Sequence, residues 1–147
     1  MFFVLLIPGF FGKFTQQKNL ESLIYACVGM PVELLLIGDG PLRSKLENMA
    51  RKLAVVSHFP GRLDQAELAE QLRSCGLFVL PSHYEGHPKA LIEAMAFGMT
   101  VVGANSVAVR SEIIDRETGI LVPPSPEGIG NGIRYVLGMS VEDRQKM

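Results

Sequence analysis

The amino-acid sequence predicts an α/β fold: a doubly wound, Rossmann-like, mainly parallel sheet with helices on both faces. Short apolar runs without alternating polar residues recur along the chain, which is typical of strands that are covered on both faces. Each run is followed by Gly, Pro or Ser and then by apolar residues at helical spacing. Strands and helices therefore alternate, and 147 residues are enough for one domain with a buried core.

The continuous apolar runs define the strands in order. The predicted strands are residues 2–7 or a continuation of this run to 11, then 32–37, a weaker strand at 55–59, 77–80, 100–102, and a short extended piece at 119–122. None of these segments carries the alternation of a sheet with one solvent-exposed face. We therefore expect a buried parallel sheet.

Amphipathic helices are predicted between these strands. Apolar side chains recur at i, i+3, i+4 and i+7 in residues 20–28 and again in 42–53. Pro41 stands where a first helical residue is expected, and Asp64 with Glu67 forms the N-cap and capping-box pair of the third helix. Three further helices are predicted at residues 88–97, 109–115 and 126–137.

Composition excludes several classes of function. Fourteen Lys and Arg residues against 15 Asp and Glu residues leave a formal net charge of −1, which argues against nucleic acid or an anionic membrane surface as the main partner.

The apolar N-terminal run lacks a basic leader and is interrupted at Pro8, short of the roughly 18–20 residues that span a bilayer. We interpret it as a buried strand, with a secretory h-region as the alternative. Two distant cysteines, Cys27 and Cys75, indicate core positions and a cytoplasmic location.

In an open parallel sheet, ligands bind beyond the carboxyl ends of the strands, so the strand-to-helix loops are the place to search for a site. The loop at residues 82–89 is the richest, with two His, one Tyr and Glu85. The next helix is apolar nearly all round, and Glu93 is the only charge in its interior. A buried carboxylate needs a partner. That partner is either a group of this chain or a pair of ligand hydroxyls.

The start of the same helix predicts an anion site. Its first backbone amides, those of Lys89, Ala90 and Leu91, are expected to be free at the positive end of the helix dipole. Lys13 and Lys18 flank the first strand-to-helix loop and could supply charge to the same anion, although simple solvation is the alternative for any surface lysine.

Two apparent motifs are set aside. Residues 38–41, Gly-Asp-Gly-Pro, lack the third glycine of a dinucleotide-binding loop and the Gly-Lys-Ser/Thr of a Walker A loop, so we interpret them as a tight turn. His58, His83 and His87 lack the spacing of metal ligands on one helix face, and no metal is expected.

Residues 84–96, Tyr-Glu-Gly-His-Pro-Lys-Ala-Leu-Ile-Glu-Ala-Met-Ala, resemble the E-x7-E signature of retaining glycosyltransferase family 4. The similar region is the C-terminal nucleotide-sugar-binding domain of this GT-B family, and the resemblance is strongest over residues 9–138. Further matching stretches are Gly-Lys-Phe-Thr-Gln-Gln-Lys-Asn-Leu at 12–20, Leu-Ile-Gly-Asp-Gly-Pro at 36–41, Phe-Pro-Gly-Arg-Leu at 59–63, Phe-Val-Leu-Pro-Ser at 78–82, Ser-Glu-Ile-Ile at 111–114 and Glu-Thr-Gly-Ile-Leu-Val-Pro-Pro at 117–124.

The resemblance implies a role for each matching position. Glu85 would lie beside the donor sugar and the reacting centre as the catalytic carboxylate, and Glu93 would bind the ribose hydroxyls. The diphosphate would be held by the first strand-to-helix loop and by the amides after Gly86, that is, by Gly12, Lys13, Lys18, Gly86, His87, Lys89, Ala90 and Leu91. The segment 60–63, with Arg62, would pass beside the base. Three features depart from the family: Lys13 replaces an Arg, Pro88 has no N–H to donate, and Asn-Ser-Val-Ala-Val at 105–109 replaces a stretch that is usually glycine-rich.

The resemblance also implies the activity. We expect the donor-binding domain of an enzyme that transfers a sugar from a nucleoside diphosphate sugar to an acceptor hydroxyl with retained configuration, without metal or other cofactor. The acceptor-binding N-terminal domain is expected to be absent from these 147 residues, so the isolated chain should be inactive. The full-length enzyme is expected in the cytoplasm or at the membrane surface. The alternatives are a non-catalytic nucleotide-sugar-binding module and half of a sugar-nucleotide epimerase.

Overall fold

A computed structural model describes residues 7–147 and shows a parallel sheet of six strands with helices on both faces. The strands are β1 (Pro8–Lys13), β2 (Leu34–Asp39), β3 (Ser57–Gly61), β4 (Leu77–Leu80), β5 (Thr100–Ala104) and β6 (Ile120–Val122). Their order across the sheet is β3-β2-β1-β4-β5-β6, and every neighbouring pair is parallel. The predicted doubly wound α/β fold is confirmed.

The helices follow the strands in the order that the sequence predicts. They are a 3₁₀ turn at Gln16–Lys18, α1 (Leu20–Ala26), α2 (Arg43–Lys52), α3 (Gln65–Arg73), α4 (Lys89–Ala96), α5 (Val107–Glu112), α6 (Pro126–Leu137) and α7 (Val141–Lys146). Helix α1 packs against α2 and α6 on one face of the sheet. Right-handed crossovers place α3, α4 and α5 on the other face. Among residues 7–147, no helix has the length and apolar character needed to cross a bilayer.

The core lies between the sheet and its two helical layers. Phe10 of β1 and Phe78 of β4 are fully buried, and their rings stack with centroids 6.4 Å apart. Cys27 and Cys75 are buried free thiols, as the apolar pattern predicts. Desolvation by burial raises the pKa of Cys27 to about 12 and that of Cys75 to about 11. Both side chains therefore act as small apolar groups.

Several strand boundaries differ from the prediction. Most of the expected first strand, residues 2–6, lies outside the described residues, and β1 begins at Pro8 and continues to Lys13. Proline is tolerated as a first strand residue because it needs to donate no ladder hydrogen bond there. Strands β2 and β3 begin and end two residues later than predicted, β5 ends two residues later, and β6 begins one residue later. Strands β2, β3 and β5 end late because polar or small residues continue the ladder after the apolar run stops.

Two helical predictions also need correction, and one helix was not predicted. Pro41 is not the first residue of α2, which begins at Arg43, because the Leu42 amide donates to the Phe14 carbonyl at 3.2 Å and closes a turn first. The fifth helix covers residues 107–112 rather than 109–115, with the Ser106 hydroxyl accepting from the Val109 amide as its N-cap. Helix α7 was not predicted from the sequence, although Ser140 caps it. The Asp64 cap is confirmed: its Oδ1 accepts from the Glu67 amide at 2.8 Å.

Candidate functional site

The candidate site lies where the strand order reverses, between β1 and β4. These two strands pair only at Pro8 with Leu77 and at Gly9 with Phe78, although β1 continues to Lys13. Beyond Gly9 the carboxyl ends of the two strands separate, and this reversal point is where open α/β sheets bind ligands. A cleft of about 490 Å³ opens there, against the start of α4 and one side of α3.

This cleft brings together most of the residues that the sequence singled out. Eight of them line it: Gly12, Lys13, Lys18, Glu85, His87, Lys89, Ala90 and Glu93. The structure does not bring Arg62, Gly86 or Leu91 to the lining. Arg62 follows β3, two strands away from β1, and is exposed. Two residues of α3, Gln65 and Leu68, line the cleft and were missed, because only the tertiary fold places α3 beside α4.

Glu85 is held at the back of the cleft. Its side chain is only 5% exposed, and its Oε1 accepts hydrogen bonds from Lys18 Nζ and from Ser82 Oγ, each at 2.7 Å. Its Oε2 has no hydrogen-bond partner among the described residues. Every fully buried side-chain oxygen or nitrogen of these residues does have a partner, so Oε2 is not fully buried. Oε2 is therefore the accessible oxygen of this carboxylate. One oxygen is bound to the protein, and the other keeps some solvent accessibility in a residue that lines the cleft.

Asn19, which directly follows Lys18, joins the loop that carries Lys18 to the loop that carries Glu85. Asn19 is buried in the left-handed conformation with φ 58°, which Asn tolerates better than most residues. Its side-chain amide donates to the carbonyls of Pro81 and Pro124, both at 2.9 Å. The sequence analysis missed this residue, because its partners are 62 and 105 positions away.

The start of α4 supplies fewer free amides than predicted. The Lys89 amide donates to the His87 carbonyl at 2.8 Å, so it is not free. The amides of Ala90 and Leu91 donate to no oxygen of the described residues, because regular helical bonding begins with Ile92 donating to Pro88. Two free amides therefore remain at the positive end of this eight-residue helix.

Glu93 is not a buried charge, contrary to the expectation from its apolar helix. Its side chain is 35% exposed, and its nearest cation is Lys89 Nζ at 3.8 Å from Oε1. An i, i+4 pair at this distance and exposure is weak. Only Leu91 and Ala94 of this helix are buried, so an apolar sequence all round the helix does not mean that every face is covered. The carboxylate is accessible to a ligand.

The cleft is cationic overall. Three lysines and two glutamates line it, together with His87 and with Ala90, whose amide is free. Lys13 forms no ion pair within residues 7–147. The same part of the chain contains no cluster of three or more His, Cys, Asp or Glu side chains that could hold a metal ion. The cleft is thus suited to an anion that also presents hydroxyl groups to carboxylates.

Comparison with known proteins decides the family. The sequence model of glycosyl transferases group 1 matches residues 6–147, nearly the whole chain. The chain belongs to this family. An uncharacterized glycosyltransferase of Methanocaldococcus jannaschii is 36% identical over 139 residues, which are 87% of this chain and 35% of that protein. A GDP-mannose-dependent alpha-mannosyltransferase of Mycobacterium tuberculosis is 32% identical over 80% of this chain and 30% of its own length. The chain thus spans about a third of these glycosyltransferases.

Solved structures share the fold. The catalytic domain of cholesterol-alpha-glucosyltransferase from Helicobacter pylori superposes with a TM-score of 0.85 at 28% identity, over 96% of this chain and 91% of that one. Anabaena Alr3699/HepE, crystallised with UDP and glucose, gives a TM-score of 0.87 over 97% of this chain and 41% of that one. At 20% identity, this second likeness shows the fold alone.

Proposed function

We propose that this chain is the donor-binding domain of a retaining glycosyltransferase, which transfers a sugar from a nucleoside diphosphate sugar to an acceptor hydroxyl. The observation that carries the proposal is the cleft between β1 and β4, where lysine ammonium groups, the free amide of Ala90 and the carboxylates of Glu85 and Glu93 lie together. A nucleoside diphosphate sugar has the complementary chemistry, because it joins a diphosphate to two sugar rings that carry hydroxyls.

The cationic side of the cleft binds the diphosphate in this proposal. Lys13 and Lys18 approach from the β1 side, and Ala90, whose amide is free, lines the cleft at the start of α4. Helix amides and lysine charges are a recurring way to hold phosphate. The same groups stabilise the charge that develops on the leaving diphosphate, which is electrostatic catalysis by preorganised donors. Lys13 binds as a point charge where the family usually has the bidentate fork of an Arg.

The two carboxylates bind different hydroxyl groups of the donor in this proposal. Glu93 accepts from the ribose hydroxyls, since it is accessible and held only by the weak pair with Lys89. Glu85 presents Oε2 to the donor sugar beside the reacting centre. The segment 60–63, including Arg62, passes beside the base. This last assignment, like retention of configuration, is supported by the family resemblance of the motifs.

The acceptor-binding part of the enzyme is proposed to lie outside these residues. The chain spans about a third of the length of its glycosyltransferase relatives. A domain without an acceptor site cannot hold the acceptor next to the donor, which transfer requires. The isolated chain is therefore expected to bind donor weakly, to hydrolyse it slowly at most, and to transfer no sugar. The two buried thiols are in keeping with a cytoplasmic enzyme.

Titration calorimetry without metal tests the proposal. The probes are UDP, GDP and ADP, each with a corresponding sugar conjugate. Binding of one such pair is the expected result, and ligand at ~100 times its Kd should stabilise the fold by roughly 2.7 kcal/mol in thermal unfolding. The proposal fails if the folded chain binds none of them at millimolar concentration.

A further inference from the structure

We propose that Ser82 is a positioning residue, which fixes Glu85 Oε1 so that Oε2 alone faces the donor sugar. This inference rests on the proposed donor-binding function. Ser82 does not line the cleft itself, and its side chain lies behind Glu85 with 2% of the residue exposed. Its hydroxyl donates to Glu85 Oε1 at 2.7 Å, the length of a charge-assisted hydrogen bond.

Hydrogen bonds hold the backbone on both sides of Ser82. The carbonyl of the preceding Pro81 accepts from the Asn19 side chain at 2.9 Å, and the amide of the following His83 donates to the Gln17 carbonyl at 3.0 Å. The first bond ties this loop to Asn19, and the second ties it to the turn Gln16–Lys18. The backbone of the serine is therefore held relative to the cleft wall, and the bond to Glu85 Oε1 orients its hydroxyl.

Two donors on one carboxylate oxygen determine the orientation of the group. A carboxylate oxygen has about two lone-pair sites, so Lys18 and Ser82 together satisfy Oε1. The terminal torsion of Glu is otherwise broad and roughly two-fold, which would let the two oxygens exchange. When the diphosphate attracts Lys18, Ser82 remains as the neutral donor that keeps Oε1 in place. Its contribution is therefore greatest when phosphate and sugar are bound together.

Replacing Ser82→Ala should weaken binding of the nucleotide sugar by about tenfold and leave binding of the nucleoside diphosphate unchanged. The probes are the pairs UDP with UDP-glucose and GDP with GDP-mannose, titrated into the 147-residue chain. Ser82→Thr keeps the hydroxyl and should restore the affinity for the nucleotide sugar. Ser125→Ala is the matched control: it removes a hydroxyl that caps α6 at the same sheet edge, so it should lower stability and change neither affinity.

A double-mutant cycle separates positioning from a purely structural role. If Ser82 acts through Glu85, Ser82→Ala has no further effect on nucleotide-sugar affinity when Glu85→Ala is already present. Urea unfolding of each variant confirms that folded protein is titrated. Equal losses for diphosphate and nucleotide sugar, or additive losses in the cycle, would overturn the role of Ser82. If the native chain binds neither pair of probes, the donor-binding function itself is overturned, and the role of Ser82 with it.

Discussion

The glycine-containing turn after β2 and the loop after β4 lie at the same edge of the sheet, but only the second leaves room for a ligand. A Cβ added at Gly38, near the end of β2, would overlap the Gly12 carbonyl oxygen, and one at Gly40 in the turn would lie 2.6 Å from the Phe14 carbonyl oxygen. A Cβ at Gly86 would meet nothing within 4 Å. The first turn is thus filled by the chain itself, whereas the second borders the cleft.

The hydrogen bonds of the two regions show the same difference. Around the turn after β2, the Phe14 amide donates to the Asp39 carbonyl, and the Phe14 carbonyl accepts from the Leu42 amide. At the start of α4, the amides of Ala90 and Leu91 donate to no described oxygen. A glycine-rich turn after a strand is therefore a poor indicator of a phosphate site. Free amides and open space are the better ones.

The largest expected effect is that of Gly38→Ala at the end of β2, directly before the filled turn. Its φ of 133° and the contact with the Gly12 carbonyl combine conformational strain with overpacking, so the free energy of unfolding should fall by about 2–5 kcal/mol. Gly86→Ala is the matched change in the open loop and should alter stability by less than about 0.5 kcal/mol. Urea unfolding of both variants measures the contrast, and similar losses at the two positions would contradict it.

Glu93→Gln should have the next largest effect, on binding rather than on stability. The variant keeps the shape and loses the charge, so affinity for nucleoside diphosphate and nucleotide sugar should fall together by roughly 1.5–3 kcal/mol. Glu47→Gln is a matched control, because Glu47 has a similar exposure of 34% and pairs with Arg43 outside the cleft. A fall in melting temperature without ligand, with affinity unchanged, would instead assign Glu93 to an internal pair.

A smaller and more selective effect is expected for Glu85→Gln. Because Oε2 faces the donor sugar in the proposed complex, nucleotide-sugar affinity should fall about tenfold while affinity for plain nucleoside diphosphate is retained. Calorimetric titration of both ligands measures the two values. An equal loss for both would remove the proposed division of roles between Glu85 and Glu93.

Metal removal is the change with the smallest expected effect. Lysine charges and helix amides balance the diphosphate in the proposed complex, so excess chelator should change nucleotide affinity less than about twofold. Titrations with EDTA and with Mg²⁺ measure this directly. A strong requirement for Mg²⁺ would show that the cationic cleft is not sufficient for the anion.

The sequence by itself determined the order of elements and the pair of carboxylates. Apolar runs and helical spacing depend on local composition, which is why Leu77–Leu80 and Pro126–Leu137 were predicted with their observed bounds. The Asp64 cap was likewise predictable, since a cap involves residues three positions apart. Glu85 and Glu93 could be selected as candidates from the sequence, because one directly precedes an apolar helix at a strand end and the other is the only charge in the interior of that helix.

Only the tertiary structure decided what those carboxylates contact. The ion pair of Lys18 with Glu85 joins residues 67 positions apart, and it forms because the sheet places β4 next to β1. The same strand order brings Gln65 to the cleft and leaves Arg62 outside its lining. Exposure of Glu93 likewise depends on which face of α4 the rest of the fold covers. Local patterns set the elements, whereas contacts between distant loops depend on strand order and packing, which periodicity does not encode.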